Sequence, residues 1–287
     1  MNEHGNDCVA KSDAQIHSGN RAWRHIRAEL TDNVPKILAT LAPSGPFAYT
    51  PAPIPQGPDD PPLVLFQTTY AGIKDAYEAL HIDFGVRDMR SIVEIRGDWY
   101  TFMYGEVATE VRKTGKTYPS MTAALFPTLG QEGITGELNW GAGANDTGNP
   151  RSRGDCRDDL RALERHESFL DMLRTGDIEG MVKATHPKVQ VGIRDYVTDS
   201  RTITDIHDVE GVQRYLAAFY DRYQVRELEL AQRYVNYWCA FAELRWTAED
   251  RTSGHVVQFN TIEITDIDDA GVFRARIGHG TDVEVVS

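Results

Sequence analysis

Apolar positions recur with helical spacing at two places in the chain, Trp23, Ile26 and Leu30, and again Leu163, His166, Phe169, Leu170 and Leu173. Spacings of three and four residues put each set on one helix face. A second short helix follows each, ending near Pro43 or Pro187, and then an extended run, "PFAYT" or "KVQVGIRDY". A third helix, "AGIKDAYEAL" or "EGVQRYLAAF", is preceded by Thr69 or Asp208. Both are residues whose side-chain oxygens cap first-turn amides. Three β-like runs come next, at 90–112, 116–126 and 133–140, and at 228–249, 255–267 and 272–285, separated by turn-forming stretches such as "KTGKT" and "RTSGH".

The two halves also match residue by residue. Gly72, Ala79, Val86-Arg87, Trp99, Phe102, Glu110 and Gly115 correspond to Gly211, Ala218, Val225-Arg226, Trp238, Phe241, Glu249 and Gly254, always 139 residues apart. Upstream, "NVPKILATLAP" aligns with "DIEGMVKATHP" in a register of 144. A fixed long period across several elements implies a tandem duplication. Helices followed by a strand meander imply the α+β class, with helices covering one face of a curved antiparallel sheet in each copy. The boundaries read from composition are a polar tail at 1–19, a first domain at 20–141, a Gly, Asn and Pro-rich linker at 142–157, and a second domain at 158–287. The Pro-rich segment at 50–62 reads as a long loop inside the first domain.

The segments "RTGDIEGMVKATHPKVQV", "DVEGVQRYLAAFY" and "RTSGHVVQFNTIEITDIDDAGVFRARIGHGTD", in that order, make the chain resemble the NTF2-like superfamily, in particular its SnoaL-like and ketosteroid-isomerase-like branch. The resemblance covers 158–284 and, more weakly, 20–141. It implies a cone-shaped α+β barrel in each half, pairing of the two sheets as an intramolecular pseudo-dimer with further homo-oligomerisation open, and a small hydrophobic molecule in the cone. Enzymes of this kind move a proton or eliminate water with His, Asp or Tyr residues and commonly need no cofactor.

Composition narrows the choices. At 287 residues the chain has room for two cores. A net charge of −13 argues against nucleic acid, whose readers carry clustered Lys and Arg. No apolar run approaches a membrane span, and the N-terminus lacks the basic and apolar segments of a secretory signal. Cytoplasm is the expected compartment. Cys8, Cys156 and Cys239 have no metal-like spacing, Cys156 and Cys239 read as bystanders, and neither the His nor the carboxylate spacings match a metal motif. No metal and no cofactor are expected.

Strand alternation then selects candidate residues. Trp238, Ala240, Ala242, Leu244 and Trp246 share one parity and are expected to line the second cone. Gln258, Asn260, Ile262 and Ile264 share another, as do Phe273, Ala275, Ile277 and His279, leaving Arg274 and Arg276 outward. Asp195 follows Val189, Val191 and Ile193, and His166 lies on the buried stripe of its helix. His279, His166 and Asp195 are therefore the expected acid/base residues. Asn260 and Gln258 would hold a carbonyl or enolate oxygen, and Trp238, Trp246, Phe219 and Tyr223 would form apolar walls. His279, Asn260, Asp195 and His166 align with Trp140, Met121, Pro51 and Trp23 in the first copy, which makes the second copy the expected active one. Taken singly, each inward histidine is more often a satisfied core residue than a catalyst, and Asp195 could instead open the turn after it.

The expectation is a cofactor-independent isomerase, dehydratase or cyclase acting on a polyketide-, steroid- or terpenoid-like molecule. The rivals are a non-catalytic binder of such a molecule and an assembly subunit that uses its sheet surface.

Overall fold

A computed structural model of the chain describes residues 11–51, 61, 63–141, 156–198, 201–267 and 271–287. Helix α1 (Asp13–Glu29) begins inside the expected polar tail because Ser12 and Gln15 form a reciprocal capping box. Its buried face carries Ser18, Ala22, His25, Ile26 and Glu29. Helix α2 (Val34–Leu38) is capped by Asn33, and strand β1 (Ala48–Tyr49) follows. Helix α3 (Tyr70–Asp83) is capped by Thr69, whose hydroxyl accepts from Gly72 N at 3.0 Å. It runs without a loop into β2 (Phe84–Arg96), and β3 (Tyr100–Val111), β4 (Lys116–Pro127) and β5 (Gly136–Gly141) complete the first unit.

The second unit repeats this order with α4 (Cys156–Thr175), α5 (Ile178–Lys183), β6 (Thr185–Gly192), α6 (Val209–Arg222), β7 (Tyr223–Val235), β8 (Cys239–Asp250), β9 (His255–Ile267) and β10 (Phe273–Gly280), plus a short β11 (Glu284–Val285). Backbone helix thus begins at Cys156, within the stretch read as linker; residues 142–155 lie outside the described residues. Asp208 caps α6 as Thr69 caps α3.

The long runs at 90–112 and 228–249 are each a hairpin rather than one strand. In the second, the Asn236 side chain accepts from Trp238 N and Cys239 N at 2.9 Å, closing a tight turn in mid-run. Gly115 and Gly254 occupy equivalent tight turns with φ of +67° and +74°, a left-handed conformation that costs glycine little.

Both sheets have the same strand order, β1-β5-β4-β3-β2 and β6-β10-β9-β8-β7. The first strand pairs in parallel and the others are antiparallel. Register shifts at Val86/Asp88 and Ser91/Val93 recur at Val225/Glu227 and Leu230/Gln232. Such bulges bend a strand, so the two sheets curve at matching points. The α+β class, with helices on two curved sheets as the family resemblance implies, is what the structure shows.

The sheets pack on each other through their convex faces. Phe102 and Phe241 stack there with ring centroids 4.3 Å apart and planes 11° apart, both fully buried. The two rings stand 139 residues apart in the chain, at matching positions of the two units. Around them lie Tyr100, Leu125, Leu138, Trp140, Ile264 and Ile277 in one apolar cluster drawn from both units. Tyr100 OH donates to Glu243 at 2.8 Å and Trp140 Nε1 donates to Asp266 at 3.0 Å across the contact. Among the described residues, no helix is long and apolar enough to cross a membrane.

Candidate functional site

The two cones differ in content. In the second, Phe169, Leu173, Leu216, Phe219, Trp246 and Phe259 fill the interior, and the spaces left measure 30 and 20 Å³, enough for a water or two. The first encloses a cavity of 630 Å³, within the range of small-molecule sites.

Five polar side chains meet at that cavity, and three of them, Glu29, Tyr49 and Glu137, line it. His25 and Glu29 are one helical turn apart on the buried face of α1, Tyr77 comes from the middle of α3, and Tyr49 and Glu137 are register partners on β1 and β5. All five are buried. Tyr77 OH donates to Glu137 Oε2 at 2.8 Å and lies 3.1 Å from Glu29 Oε1 and 2.8 Å from His25 Nε2. Asn139 Nδ2 donates to the other Glu137 oxygen at 2.7 Å, and His25 Nε2 is 3.3 Å from Glu137.

Proton counting orients the histidine. The Thr40 hydroxyl has one proton, and the Ile37 carbonyl at 2.6 Å can only accept it. The Thr40 oxygen must then accept from His25 Nδ1, leaving Nε2 to face Tyr77 and the carboxylates.

The two carboxyls are pushed apart. Burial raises the Glu29 pKa well above its ordinary value, and the charge on Glu137 raises it further. For Glu137, burial pulls upward too, but the hydrogen bond and the charge of His25, with donation from Asn139 and Tyr77, outweigh it and hold the group below the usual carboxylate value. Glu29 is thus the acid and Glu137 the carboxylate, joined by a relay in which Glu29 donates to Tyr77 and Tyr77 donates to Glu137. Burial, with the nearby carboxylates, pushes both Tyr49 and Tyr77 far up, so both stay phenols. The ligand-type atoms of His25, Glu29 and Glu137 lie within 4.8 Å of one another, a spacing that suits a metal ion. The Tyr77 hydroxyl already sits within hydrogen-bonding reach of all three, which fits shared protons.

Strand registers show what the second unit has instead. Thr122 pairs with Gly141 and Thr261 with Gly280, so Arg276 stands where Glu137 does. Val191 pairs with Arg276 as Tyr49 pairs with Glu137. The 139 and 144 registers bring Leu216 to the place of Tyr77, and Phe169 and Leu173 to those of His25 and Glu29. Arg276 lies 5.3 Å over the Phe169 ring and donates to Glu263 at 2.7 Å, so its charge is paired inside the filled cone. The large cavity and the buried polar cluster lie in the unit expected to be the supporting one.

The sequence candidates are dispersed. His279 is buried, but at the contact between units: Nε2 reaches the Pro46 carbonyl at 3.2 Å and Gly280 N donates to Nδ1 at 2.8 Å. Burial drives its pKa down to about 4. The cause of the misplacement is a bulge between Phe273 and Ala275, which swaps faces along β10. Phe273 therefore faces the cone, Ala275 and Ile277 face the other unit, and Arg276, expected outward, points in. On β9 the inward set is Val257, Phe259 and Thr261, whereas Ile262 and Ile264 face the other unit. Asn260 shares the parity of those two, and Gln258 is exposed and donates to Thr247 at 3.1 Å.

Asp195 lies beyond the end of β6, where it accepts from Val197 N and Thr198 N at 2.8 and 3.1 Å; it is a turn residue. His166 is buried as expected, yet among the described residues neither ring nitrogen has a hydrogen-bond partner, and burial lowers its pKa to about 4. Trp238 precedes β8 and packs at the contact between units, 6.1 Å from Tyr104. Trp246, Phe219 and Tyr223 do lie in the cone, packed on one another and on Phe259. No two of His279, His166 and Asp195 hydrogen-bond to each other.

No protein-family model matches the chain, and no curated protein matches it. Solved structures do. Rv0760c from Mycobacterium tuberculosis is 12% identical over 44% of this chain and 96% of its own, with a TM-score of 0.37. An LEH-like epoxide hydrolase of M. tuberculosis is 15% identical over 43% of this chain and 83% of its own, with a TM-score of 0.34. A Bacillus subtilis protein provisionally named an isomerase is 11% identical over 43% and 88%, with a TM-score of 0.38.

Two signals in the sequence pointed to the site that periodicity overlooked. His25 and Glu29 stand four apart beside Ile26, and Tyr77 and Glu137 occupy positions where the other half has Leu216 and Arg276.

Proposed function

We propose that the first unit is an acid/base catalyst for a small, mainly apolar molecule, of isomerase, lyase or hydrolase type. The two halves are read as copies of one ancestral unit, a duplication supported by the matched bulges and strand orders. The observation that carries the catalytic reading is the pair of carboxyls lining the 630 Å³ cavity, bridged by one tyrosine and with pKa values driven in opposite directions. Pairs driven apart in this way supply an acid and a base at one pH.

In this reading Glu137 takes a proton from a carbon acid or from water, and the neutral Glu29 gives its proton to the substrate oxygen that gains charge. Tyr77 and His25 pass the proton back and reset the pair. A substrate that loses the protonated oxygen undergoes dehydration. One that keeps it undergoes a proton shift, and one attacked by the activated water undergoes hydration or ring opening.

The test is incubation with neutral β-hydroxy ketones, β,γ-unsaturated ketones and epoxides in D₂¹⁸O, read by mass spectrometry. Conversion by the parent, at least about 100-fold slower in Glu137→Gln and unchanged in His279→Ala, supports the reading. Conversion indifferent to Glu137 refutes it, and no conversion in any class leaves a ligand-binding cavity.

A further inference from the structure

The cavity has two unlike walls. Strand alternation brings Thr109 from β3, Ser120 and Thr122 from β4 and Asn139 from β5 onto one side, a polar row crossing three neighbouring strands with Val107 and Ala124 beside it. Helix α3 and strand β2 form the other side with Ala79, Leu80, Phe84, Val86 and Met89. Among the described residues, the hydroxyls of Thr109 and Ser120 make no hydrogen bond within the protein. Their capacity is turned toward the cavity, where an occupant's oxygens can use it.

Charge narrows the occupant further. Among the described residues no Lys or Arg lines the cavity, and the carboxylate of Glu137 stands in its wall. An anion taken in here would lose its water and meet the Glu137 carboxylate, and no Lys or Arg of the described lining offsets either cost. A wholly apolar occupant would strip water from the hydroxyl row and return nothing to it.

From this we infer that the site selects an uncharged, facially amphipathic molecule, carrying hydroxyl or carbonyl oxygens along one face and hydrocarbon on the other. The inference rests on the cavity being the functional site, but not on its chemistry. The row would hold the oxygenated face, α3 and β2 the hydrocarbon face, and the ligand's register along the row would decide which oxygen reaches Glu29.

Binding of defined probes to the Glu137→Gln protein, by calorimetry, separates ligand class from turnover. The probes are methyl cholate, whose hydroxyls all lie on one face; methyl lithocholate, the same skeleton with a single hydroxyl; and cholate, the anion of the first, compared on the parent protein as well. An ordinary apolar pocket prefers methyl lithocholate, because extra hydroxyls cost desolvation. The expected order is the reverse: methyl cholate tighter than methyl lithocholate by about tenfold or more, a preference lost in Ser120→Ala/Thr122→Val. Cholate should bind the parent at least about tenfold more weakly than its ester. Equal or inverted preference, retention of the preference in the double variant, tight cholate binding, or no binding of either ester would each overturn the inference. Any of these outcomes leaves the acid/base test to stand or fall on its own.

Discussion

Replacing each carboxyl of the relay by its amide should change stability in opposite senses. The Glu137 carboxylate accepts from Tyr77 at 2.8 Å, from Asn139 at 2.7 Å and faces His25 Nε2 at 3.3 Å. In Glu137→Gln one oxygen becomes an NH₂ that cannot accept, so bonds to a charged acceptor, each worth about 1.5–3 kcal/mol, are partly lost and partly weakened. The expected cost is about 3 kcal/mol at pH 7. Glu29→Gln instead swaps a neutral acid for a neutral amide of the same shape, a change of about 1 kcal/mol or less at acidic pH.

The sign with pH follows from linkage. Glu29 has a raised folded-state pKa, so the parent's folded state holds a proton that the unfolded chain releases above about pH 4.3. The parent therefore loses up to about 1.4 kcal/mol per pH unit between the unfolded and folded pKa values, and Glu29→Gln does not. Glu137, with its lowered pKa, adds stability above its unfolded pKa that disappears as pH falls through the folded one. Urea denaturation at pH 5, 7 and 9 should show Glu29→Gln gaining on the parent as pH rises and Glu137→Gln deficient at pH 7. If both variants lose stability alike at every pH, the assignment of acid and base is wrong.

The remaining predictions concern the relay, the contact between units and the filled cone. Tyr77→Phe should leave the fold intact but cut turnover on any substrate found by about 30-fold or more, and a rate within about twofold of the parent would remove Tyr77 from the relay. Phe102→Ala opens the stack with Phe241 at a fully buried position and should cost about 3–5 kcal/mol in denaturant unfolding; a loss below about 1 kcal/mol would mean the units barely depend on their contact. His166 and His279 each have a pKa lowered to about 4, so the unfolded chain takes up protons first and stability should fall as pH drops from about 6.5 to 4. His166→Leu, which also removes two unpartnered buried nitrogens, should flatten that acid slope, and a slope unchanged from the parent would show that His166 is not responsible.

How far the sequence reaches is visible in particular residues. Order of elements, the matched halves and the capping of α3 and α6 by Thr69 and Asp208 are local facts, carried by spacing and by side chains a few residues from the amides they satisfy. The hairpin inside each long β-run escaped notice because its turn at Asn236 is short and flanked by aromatic residues that favour strand.

Which face of each strand is the inside was set by how the two units pack. Alternation separates two faces but names neither, and here both are apolar, because one side of each sheet lines a cone and the other packs on the second unit. One bulge in β10 was then enough to move His279 from the expected interior to the contact between units and to turn Arg276 inward. Two α+β units of the same element order were legible from local spacing alone. The meeting of His25, Glu29, Tyr77 and Glu137 is non-local, drawn from two helices and a strand spread over more than a hundred residues. Their chemistry exists because burial and mutual proximity set their protons, and both are properties of the folded cone.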